Sequence, residues 1–139
     1  MPFDIPYQSP ISDLEILVDA RKRIVGENTW VQRRFRDGER HCLVAALSLA
    51  CGSRNFNMPN KTERRLARLL AEQLSPKIPW RMRLVPTRYY LMSFNDHPRT
   101  CQEDVVAVFD RTICSLTNSV REYVLCDSTL VGGSDGHRS

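Results

Sequence analysis

The sequence predicts a mainly α-helical protein in which a single domain folds as a compact helical bundle. Four segments repeat their apolar residues at helical spacing. Three segments open with the spacing of a capping box, in which a polar residue caps the helix and a glutamate three positions later reaches back. At 139 residues, one domain is the expected number, and it is large enough to bury a core without disulfide or metal cross-links.

Residues 41–51 predict the central helix of this bundle. The segment carries no charged side chain other than His41, and its apolar residues lie on both sides of a helix rather than along one stripe. A helix that is apolar nearly all round is a buried one. Gly52 follows at the position where helices commonly end. About eleven residues are too few to cross a bilayer, so we expect this helix at the centre of a globular core.

We expect further helices at residues 13–25, 61–74 and 100–114. Residues 87–94 are ambiguous between helix and strand, and we favour helix. Residues 120–125 either extend the last helix or form a short strand. The predicted capping pairs are Ser12 with Glu15, Asn60 with Glu63, and Thr100 with Glu103.

The remaining segments predict extended or irregular structure. Residues 1–11 contain three prolines and predict an extended N-terminal arm, which leaves residues 12–126 as the helical domain. Residues 127–139 are rich in glycine and polar residues and predict a flexible tail. Residues 29–40 favour β structure and include the turn signal Asp37-Gly38, which predicts a short β-hairpin or extended segment. We expect Trp30, Phe35 and Phe94 to fold onto the core.

Composition limits the cellular and chemical setting. Five cysteines without a CxxC pair argue against a disulfide framework and against a zinc ribbon. The three histidines lack metal-binding spacing, and no glycine-rich phosphate loop occurs, so we predict neither a metal nor a cofactor. No segment suits a membrane helix, and the N-terminus lacks the basic-then-apolar order of a signal peptide. These features predict a cytoplasmic protein that does not bind a membrane.

Arginine dominates the positive charge, and its densest cluster lies beside two aromatic residues, Trp30 and Phe35. With a net charge of +4, such a surface suits a protein partner that presents an acidic surface. The alternative is nucleic acid, with the aromatics stacking on bases, but no recognised nucleic-acid motif accompanies the cluster. We therefore predict a non-enzymatic binding or regulatory protein. Its candidate binding residues are Trp30, Gln32, Arg33, Arg34, Arg36, Arg40 and Arg99.

Short motifs occur in a fixed order along the chain. They are Trp30-x-Gln32, Cys42-Leu43-x-Ala45-Ala46-Leu47, Phe94-Asn95-Asp96 with Arg99-Thr100 after it, and Glu103-Asp104-Val105 before Phe109-Asp110. Together they resemble a family of small uncharacterised bacterial and phage proteins, a domain of unknown function, with W-x-Q, C-L-x-G-A-L, W-N-D, R-T and E-V-x-x-x-x-D elements. This chain departs from it at Phe94 and Ala45, where the family has tryptophan and glycine.

The resemblance spans roughly residues 13–114 and implies a compact helical domain, without an established activity. A phage or mobile element is the origin it implies for this protein. It also implies that the positions that match the motifs deserve attention in any site. These positions are Trp30, Gln32, Cys42, Asn95, Asp96 and Thr100.

A cysteine-dependent hydrolase or transferase is the alternative from a different functional class. Cys42 would be the nucleophile, because a thiol at the first turn of a helix has a lowered pKa. His97 would be the base, held by Asn95 or Asp96, and Arg99 would bind an anion. However, the apolar neighbours of Cys42 suit a buried, inert thiol. Turn chemistry before Pro98 also explains Asn95 and Asp96, so we assign no residue a catalytic role.

Overall fold

The computed structural model describes residues 10–53, 58–74 and 86–132, which form five helices and one short hairpin. Two strands, β1 (Arg36–Asp37) and β2 (Arg40–His41), pair antiparallel, with Arg36 opposite His41. The order along the chain is α1 (Pro10–Val25), β1 (Arg36–Asp37), β2 (Arg40–His41), α2 (Leu43–Ala50), α3 (Lys61–Leu74), α4 (Thr87–Asp96) and α5 (Gln102–Gly132). The prediction of a mainly helical bundle with a hairpin near residues 29–40 is therefore confirmed.

The short helix α2 lies at the centre of the bundle, as its apolar sequence predicts. It packs against α1, α3 and α4, while α1 and α3 also pack against α5. Every residue from Leu43 to Ser48 is buried. Burying a leucine or phenylalanine side chain contributes about 1.5–3 kcal/mol, so these contacts are the main source of stability. The surrounding helices contribute Leu17, Ile24, Leu66, Leu70, Leu91, Val105 and Phe109 to the same core.

The aromatic residues close this core in the predicted way. Trp30, Phe35 and Phe94 are partly buried and pack against it. Residues 29–31 run alongside β2: the His41 N–H donates to the Thr29 carbonyl at 2.8 Å, and the Val31 N–H donates to the His41 carbonyl at 3.2 Å. The segment that carries Trp30 is thus fixed by backbone hydrogen bonds rather than left as an open loop.

The predicted central helix of residues 41–51 is too long at both ends. His41 belongs to β2, and Cys42 is the N-cap of α2 in an extended backbone conformation. At the other end, Cys51 is the C-cap, and Gly52 follows in the left-handed region at φ +77°. The apolar pattern of residues 41–51 cannot show that His41 lies outside the helix. The backbone partners of His41 are in residues 29–31 and 36, which are not part of that segment.

The helix α1 begins at Pro10, earlier than predicted, so Ser12 lies inside the helix and is not its N-cap. Proline suits the first turn of a helix because its missing N–H would have no intrahelical partner there. The predicted arm of residues 1–11 is therefore wrong for residues 10 and 11, and residues 1–9 lie outside the described residues.

Of the other two predicted caps, the structure confirms the one at Asn60 and corrects the one at Thr100. Asn60 caps α3, since its Oδ1 accepts from the Glu63 N–H at 2.8 Å. The cap of α5 lies one residue later than predicted: the Cys101 N–H donates to the Asp104 carboxylate at 3.0 Å. This bond, together with one from the Cys101 thiol, holds the pKa of Asp104 below its ordinary value. The box predicted at Thr100 and Glu103 is thus wrong by one position.

The last helix is longer than its sequence pattern predicts. Residues 87–94 are helical, as favoured, within α4. α5 continues to Gly132, so its predicted end at residue 114 is wrong, and so are the strand alternative at 120–125 and the tail from residue 127 to 132. No proline or glycine interrupts residues 102–131, which accounts for the continuous helix. Residues 133–139 lie outside the described residues. Among the helices that are described, none is both long and apolar enough to cross a membrane.

Candidate functional site

The side-chain amide of Asn95 is the centre of a buried polar network in the last turn of α4. Its Oδ1 accepts from the Trp30 indole N–H at 2.7 Å and from the Leu43 N–H at 3.1 Å. Its Nδ2 donates to the Val31 carbonyl at 3.1 Å and to the Asp96 carboxylate at 3.0 Å. A carboxamide has two donors and two acceptor positions, so every one is used. Asn95 is 0% exposed, which makes each of these bonds costly to lose.

Gln32 extends this network to the loop that follows α4. Its Nε2 lies 2.9 Å from the carbonyl oxygens of Asn95 and His97, and 3.3 Å from that of Thr100. The Arg33 N–H donates to the Asp96 carboxylate at 2.7 Å. These bonds join residues 30–33 to the C-terminal end of α4 and to the N-terminal end of α2. We call this set of contacts, centred on Asn95, Trp30, Gln32 and Asp96, the Asn95 network.

The Asn95 network explains why the W-x-Q and N-D motifs occur in one chain. They are separated by more than sixty residues, yet their polar groups bind one another directly. Trp30 and Gln32, which the sequence places among the candidate binding residues, direct their N–H groups into the protein. Thr100 contributes its carbonyl oxygen rather than its side chain. The network therefore fixes residues 30–33, the C-terminal end of α4 and the N-terminal end of α2 relative to one another.

A cavity of about 180 Å³ lies beside the Asn95 network. Residues of the segment before β1 form one side, α4 forms another, and Cys42 contributes from the N-terminus of α2. The lining residues are Arg33, Arg34, Phe35, Cys42, Met92, Asn95 and Asp96. A cavity of about 150 Å³ holds one benzene molecule, whereas sites for drug-sized ligands usually measure about 300–1,000 Å³. This pocket therefore matches one large apolar side chain.

The predicted arginine cluster lies around the pocket and the hairpin, but much of its charge is already paired. The Asp37 carboxylate forms a short ion pair with Arg40, and it lies 3.8 Å from the Arg34 guanidinium. The Arg36 side chain donates to the Gly38 carbonyl at 3.3 Å. Arg33 is exposed and has no ion-pair partner among the described residues. We call Arg33 and Arg34, which line the pocket, the arginine rim.

Arg33 also occupies an unusual backbone conformation. Its φ of +68° lies in the left-handed region, where a residue with a β-carbon is strained by about 1 kcal/mol or more. The Asp96 carboxylate that accepts from its N–H offsets this cost. Arg99 is exposed on the loop that Gln32 holds, and its N–H donates to His97 Nδ1 at 3.0 Å.

Cys42 lines the pocket, but its thiol has the properties of a capping group. It is 4% exposed, and its sulfur accepts from the Ala45 N–H at 3.3 Å. Burial raises the pKa of the Cys42 thiol despite this and other backbone N–H groups, so the predicted lowering of its pKa is wrong. His97 is exposed, and its Nδ1 accepts from Arg99 rather than facing Cys42. Cys42 and His97 form no hydrogen bond in the described part of the chain.

Two contributors to this region were not identified from the sequence. Met92 lines the pocket, and Arg88, one helical turn earlier, places its guanidinium carbon 5.6 Å from the centre of the Phe35 ring. Spacing of four residues puts both on one face of α4. That face was not predicted because residues 87–94 were ambiguous between helix and strand.

Glu63 forms a second buried polar cluster. Its carboxylate accepts from the Ser48 hydroxyl at 2.6 Å and from the Ser53 hydroxyl at 2.8 Å, and the residue is 1% exposed. It links α3 to the end of α2. Within the described residues, no group of three or more histidine, cysteine, aspartate or glutamate side chains could hold a metal ion.

Comparison with known protein families places these features in one family. Residues 8–114 match the model of a family described as "Family of unknown function (DUF6197)". The match includes all residues of the Asn95 network and of the pocket. No curated protein and no solved structure matches the chain. Because the match covers well over half of the 139 residues, the chain belongs to this family of unknown function, DUF6197.

Proposed function

We propose that this protein is a non-enzymatic binding protein that recognises an acidic protein partner through the pocket and the arginine rim. The observation that carries the proposal is the position of an apolar cavity, sized for one side chain, directly beside exposed arginines. Interfaces between proteins commonly depend on one large apolar anchor residue that fills such a pocket, with polar groups around it. A partner residue would fill the pocket, and neighbouring carboxylates would face the rim.

The charges around the pocket support an acidic partner. Arg33 lacks an ion pair within the described structure, and Arg34 lies 3.8 Å from a carboxylate that it shares with Arg40. Arg33 is therefore available for new charge-assisted hydrogen bonds, which are stronger than neutral ones. Long-range attraction from a net charge of +4 would also speed association with an acidic surface.

The pairing of the arginines and the burial of Cys42 disfavour the two alternatives, nucleic acid binding and cysteine-dependent catalysis. A nucleic acid backbone needs several unpaired cations in a row, and Asp37 pairs with two of the four clustered arginines. A cysteine hydrolase needs an accessible thiolate, and Cys42 is buried with a raised pKa. A regulatory role, in which the protein occupies a surface of its partner, fits this proposal and an origin in a phage or mobile element.

Site-directed photocrosslinking in the native host tests the proposal. A photoreactive phenylalanine analogue at position 34 is expected to capture a defined protein, and the same analogue at position 64 is not. Arg64 is exposed on α3 and provides the matched control. The captured protein must lose the crosslink when Arg33 is also changed to glutamate, and must retain it in Arg68→Glu, the same charge change on another surface.

Two results would overturn the proposal. Equal crosslinking from positions 34 and 64 would remove the pocket region as a specific surface. Crosslinked material that nuclease treatment abolishes would identify nucleic acid as the ligand instead. If neither result is found, the purified protein partner should bind with an affinity that falls as the salt concentration is raised, because exposed charges are screened.

A further inference from the structure

The carboxylate of Asp96 lines the pocket and keeps an acceptor oxygen that the protein does not use. Its Oδ1 accepts from the Arg33 N–H at 2.7 Å and from the Asn95 side-chain amide at 3.0 Å. Its Oδ2 accepts no hydrogen bond within the described structure, and it is not sealed from solvent. A carboxylate offers about four acceptor positions, so part of this capacity is left for a ligand.

The arginine rim does not neutralise this carboxylate. Arg33 and Arg34 line the same cavity as Asp96, yet in the described part of the chain neither guanidinium forms an ion pair with it. The charge of Asp96 adds to the effect of burial in raising the pKa of the Cys42 thiol, another lining group. A carboxylate and guanidinium groups that border one cavity without pairing can each bind a different group of a ligand.

The rest of the lining limits what a ligand can present to Asp96. Phe35, Cys42 and Met92 make most of the wall apolar. The Asn95 carboxamide is fully used within the Asn95 network. Of the described side chains that line the cavity, Asp96 therefore has the strong acceptor to spare. A ligand that fills this space needs apolar atoms and one hydrogen-bond donor, because covering a carboxylate oxygen without giving it a partner costs free energy.

We propose that the pocket binds a tyrosine side chain of the partner, with the aromatic ring in the cavity and the phenol O–H donating to Oδ2 of Asp96. This inference rests on the proposed function and names the anchor residue of the partner. Asp96 is then the residue that selects tyrosine over phenylalanine. The arginine rim faces acidic residues that lie beside this tyrosine in the partner.

Tyrosine fits the pocket better than the other side chains that carry a donor. Its ring has the size of benzene, which a cavity of about 150 Å³ holds, so the ring and one hydroxyl match the 180 Å³ of this cavity. Serine and threonine would leave most of it empty, and the indole of tryptophan adds a second ring. Lysine would bring a positive charge beside Arg33 and Arg34. A phenol is neutral, and its bond to a carboxylate is about twice as strong as one between neutral groups.

Three small probes test the inference on the full-length protein. N-acetyl-L-tyrosinamide carries the ring and the donor, N-acetyl-L-phenylalaninamide lacks the donor, and N-acetyl-L-lysinamide carries a cationic donor without a ring. NMR titration would follow the Met92 methyl group and the Asn95 side-chain amide, which report binding in the pocket. We expect the tyrosine probe to bind with a Kd on the order of 1 mM. The phenylalanine and lysine probes should bind at least about tenfold more weakly, because one lacks the hydrogen bond and the other the ring.

The variant Asp96→Asn tests the residue itself. Asparagine keeps an oxygen that can accept from Arg33 and Asn95, and it places an amide group where Oδ2 lies. We expect the preference for the tyrosine probe to fall to about twofold or less, while the Kd of the phenylalanine probe stays within about twofold. Asp110→Asn, the same change at an exposed position of α5, should alter neither Kd. If Asp96→Asn does not fold, N-acetyl-O-methyl-L-tyrosinamide removes the donor from the ligand instead and should bind no better than the phenylalanine probe.

The possible failures are distinct. Equal binding of the tyrosine and phenylalanine probes in the pocket would overturn the role of Asp96 and leave the apolar pocket of the proposed function intact. Tightest binding of the lysine probe would overturn the choice of tyrosine. Equal weakening of both aromatic probes in a folded Asp96→Asn protein would make Asp96 a structural residue only. If none of the probes shifts Met92 or Asn95 at concentrations of about 20 mM, the pocket itself is not a binding site, and the proposed function fails with the inference.

Discussion

The two ends of α2 are both held by a buried polar side chain from another helix, but with different consequences. At the N-terminal end, the Asn95 carboxamide accepts from Leu43 and binds three further groups. At the C-terminal end, the Glu63 carboxylate accepts from Ser48 and Ser53. Both fix the central helix. The N-terminal end also borders the pocket and the exposed Arg33, so it combines a rigid polar scaffold with groups available to a partner.

Each end of α2 also carries a cysteine. Cys42 caps the N-terminal end, and Cys51 is the C-cap of the other. Burial raises the pKa of both thiols, and at Cys51 the nearby Glu63 carboxylate adds to it, giving a pKa of about 12. Neither cysteine is therefore activated as a nucleophile. What distinguishes them is the cavity, and not the reactivity of a side chain.

The largest expected effect is on stability at the N-terminal end. Asn95→Ala leaves the Trp30 indole N–H, the Leu43 N–H and the Val31 carbonyl without their partner inside the core. We expect a loss of about 3 kcal/mol or more, and a Tm lower by about 10 °C. Thermal unfolding followed by circular dichroism measures this. Asn118→Ala, at an exposed position of α5, is the control and should change Tm by less than about 2 °C.

The next largest effect concerns the reactivity of the cysteines at the two ends of α2, measured by thiol alkylation. In the native protein we expect iodoacetamide at pH 7 to modify the exposed Cys114 at least about one hundred times faster than Cys42 or Cys51. All should react after unfolding in urea. Peptide mapping by mass spectrometry gives each rate separately. Rapid modification of Cys42 with the fold intact would contradict the absence of an activated thiol and revive the hydrolase alternative.

A smaller loss is expected at the C-terminal end. Glu63→Ala removes the acceptor of two hydroxyl groups, and we expect a loss of about 2 kcal/mol. Glu63→Gln keeps one acceptor oxygen and should lose less. Glu72→Ala, an exposed glutamate on the same helix, is the matched control in urea unfolding. A larger loss for Glu63→Ala than for Asn95→Ala would reverse the order assigned to the two ends.

The smallest effect concerns pH. Burial, and then the charges of Arg36 and Arg23, lower the pKa of His41 below its ordinary value of 6.5. The unfolded chain therefore binds a proton more readily than the folded protein, so His41 destabilises the fold as pH falls below about 6.5. The stabilising contribution is full above that pH and is lost as pH falls through the folded pKa. Between pH 7.5 and 5.5, the Tm of the natural protein should fall more than that of His41→Gln. Parallel Tm curves for the two proteins would contradict this.

Local patterns predicted the parts of the fold that depend on local physics. The apolar spacing of α3 gave its bounds at residues 61 and 74, and the apolar character of α2 indicated its central position. Where tertiary contacts decide, the patterns failed: the pairing of His41 with residues 29–31 shortens α2, and nothing within residues 41–51 signals it.

The candidate site was predictable only in part. The motifs pointed to Trp30, Gln32 and Asn95, but their hydrogen bonds join positions more than sixty residues apart, which no local pattern reveals. The arginine cluster was evident, while its partial neutralisation by Asp37 depends on the hairpin geometry. Arg88 and Met92 became visible only once α4 was known to be a helix and its face could be identified.

The central claim is that the pocket beside the Asn95 network binds a partner. Filling the cavity tests it most directly. Met92→Trp places a larger apolar side chain at its wall, and it should reduce capture of the crosslinked partner at least about tenfold while lowering Tm by only a few degrees. Ala107→Trp, at a half-buried position of α5 outside the pocket lining, is the control for an added tryptophan. Unchanged capture by a folded Met92→Trp protein would contradict the account.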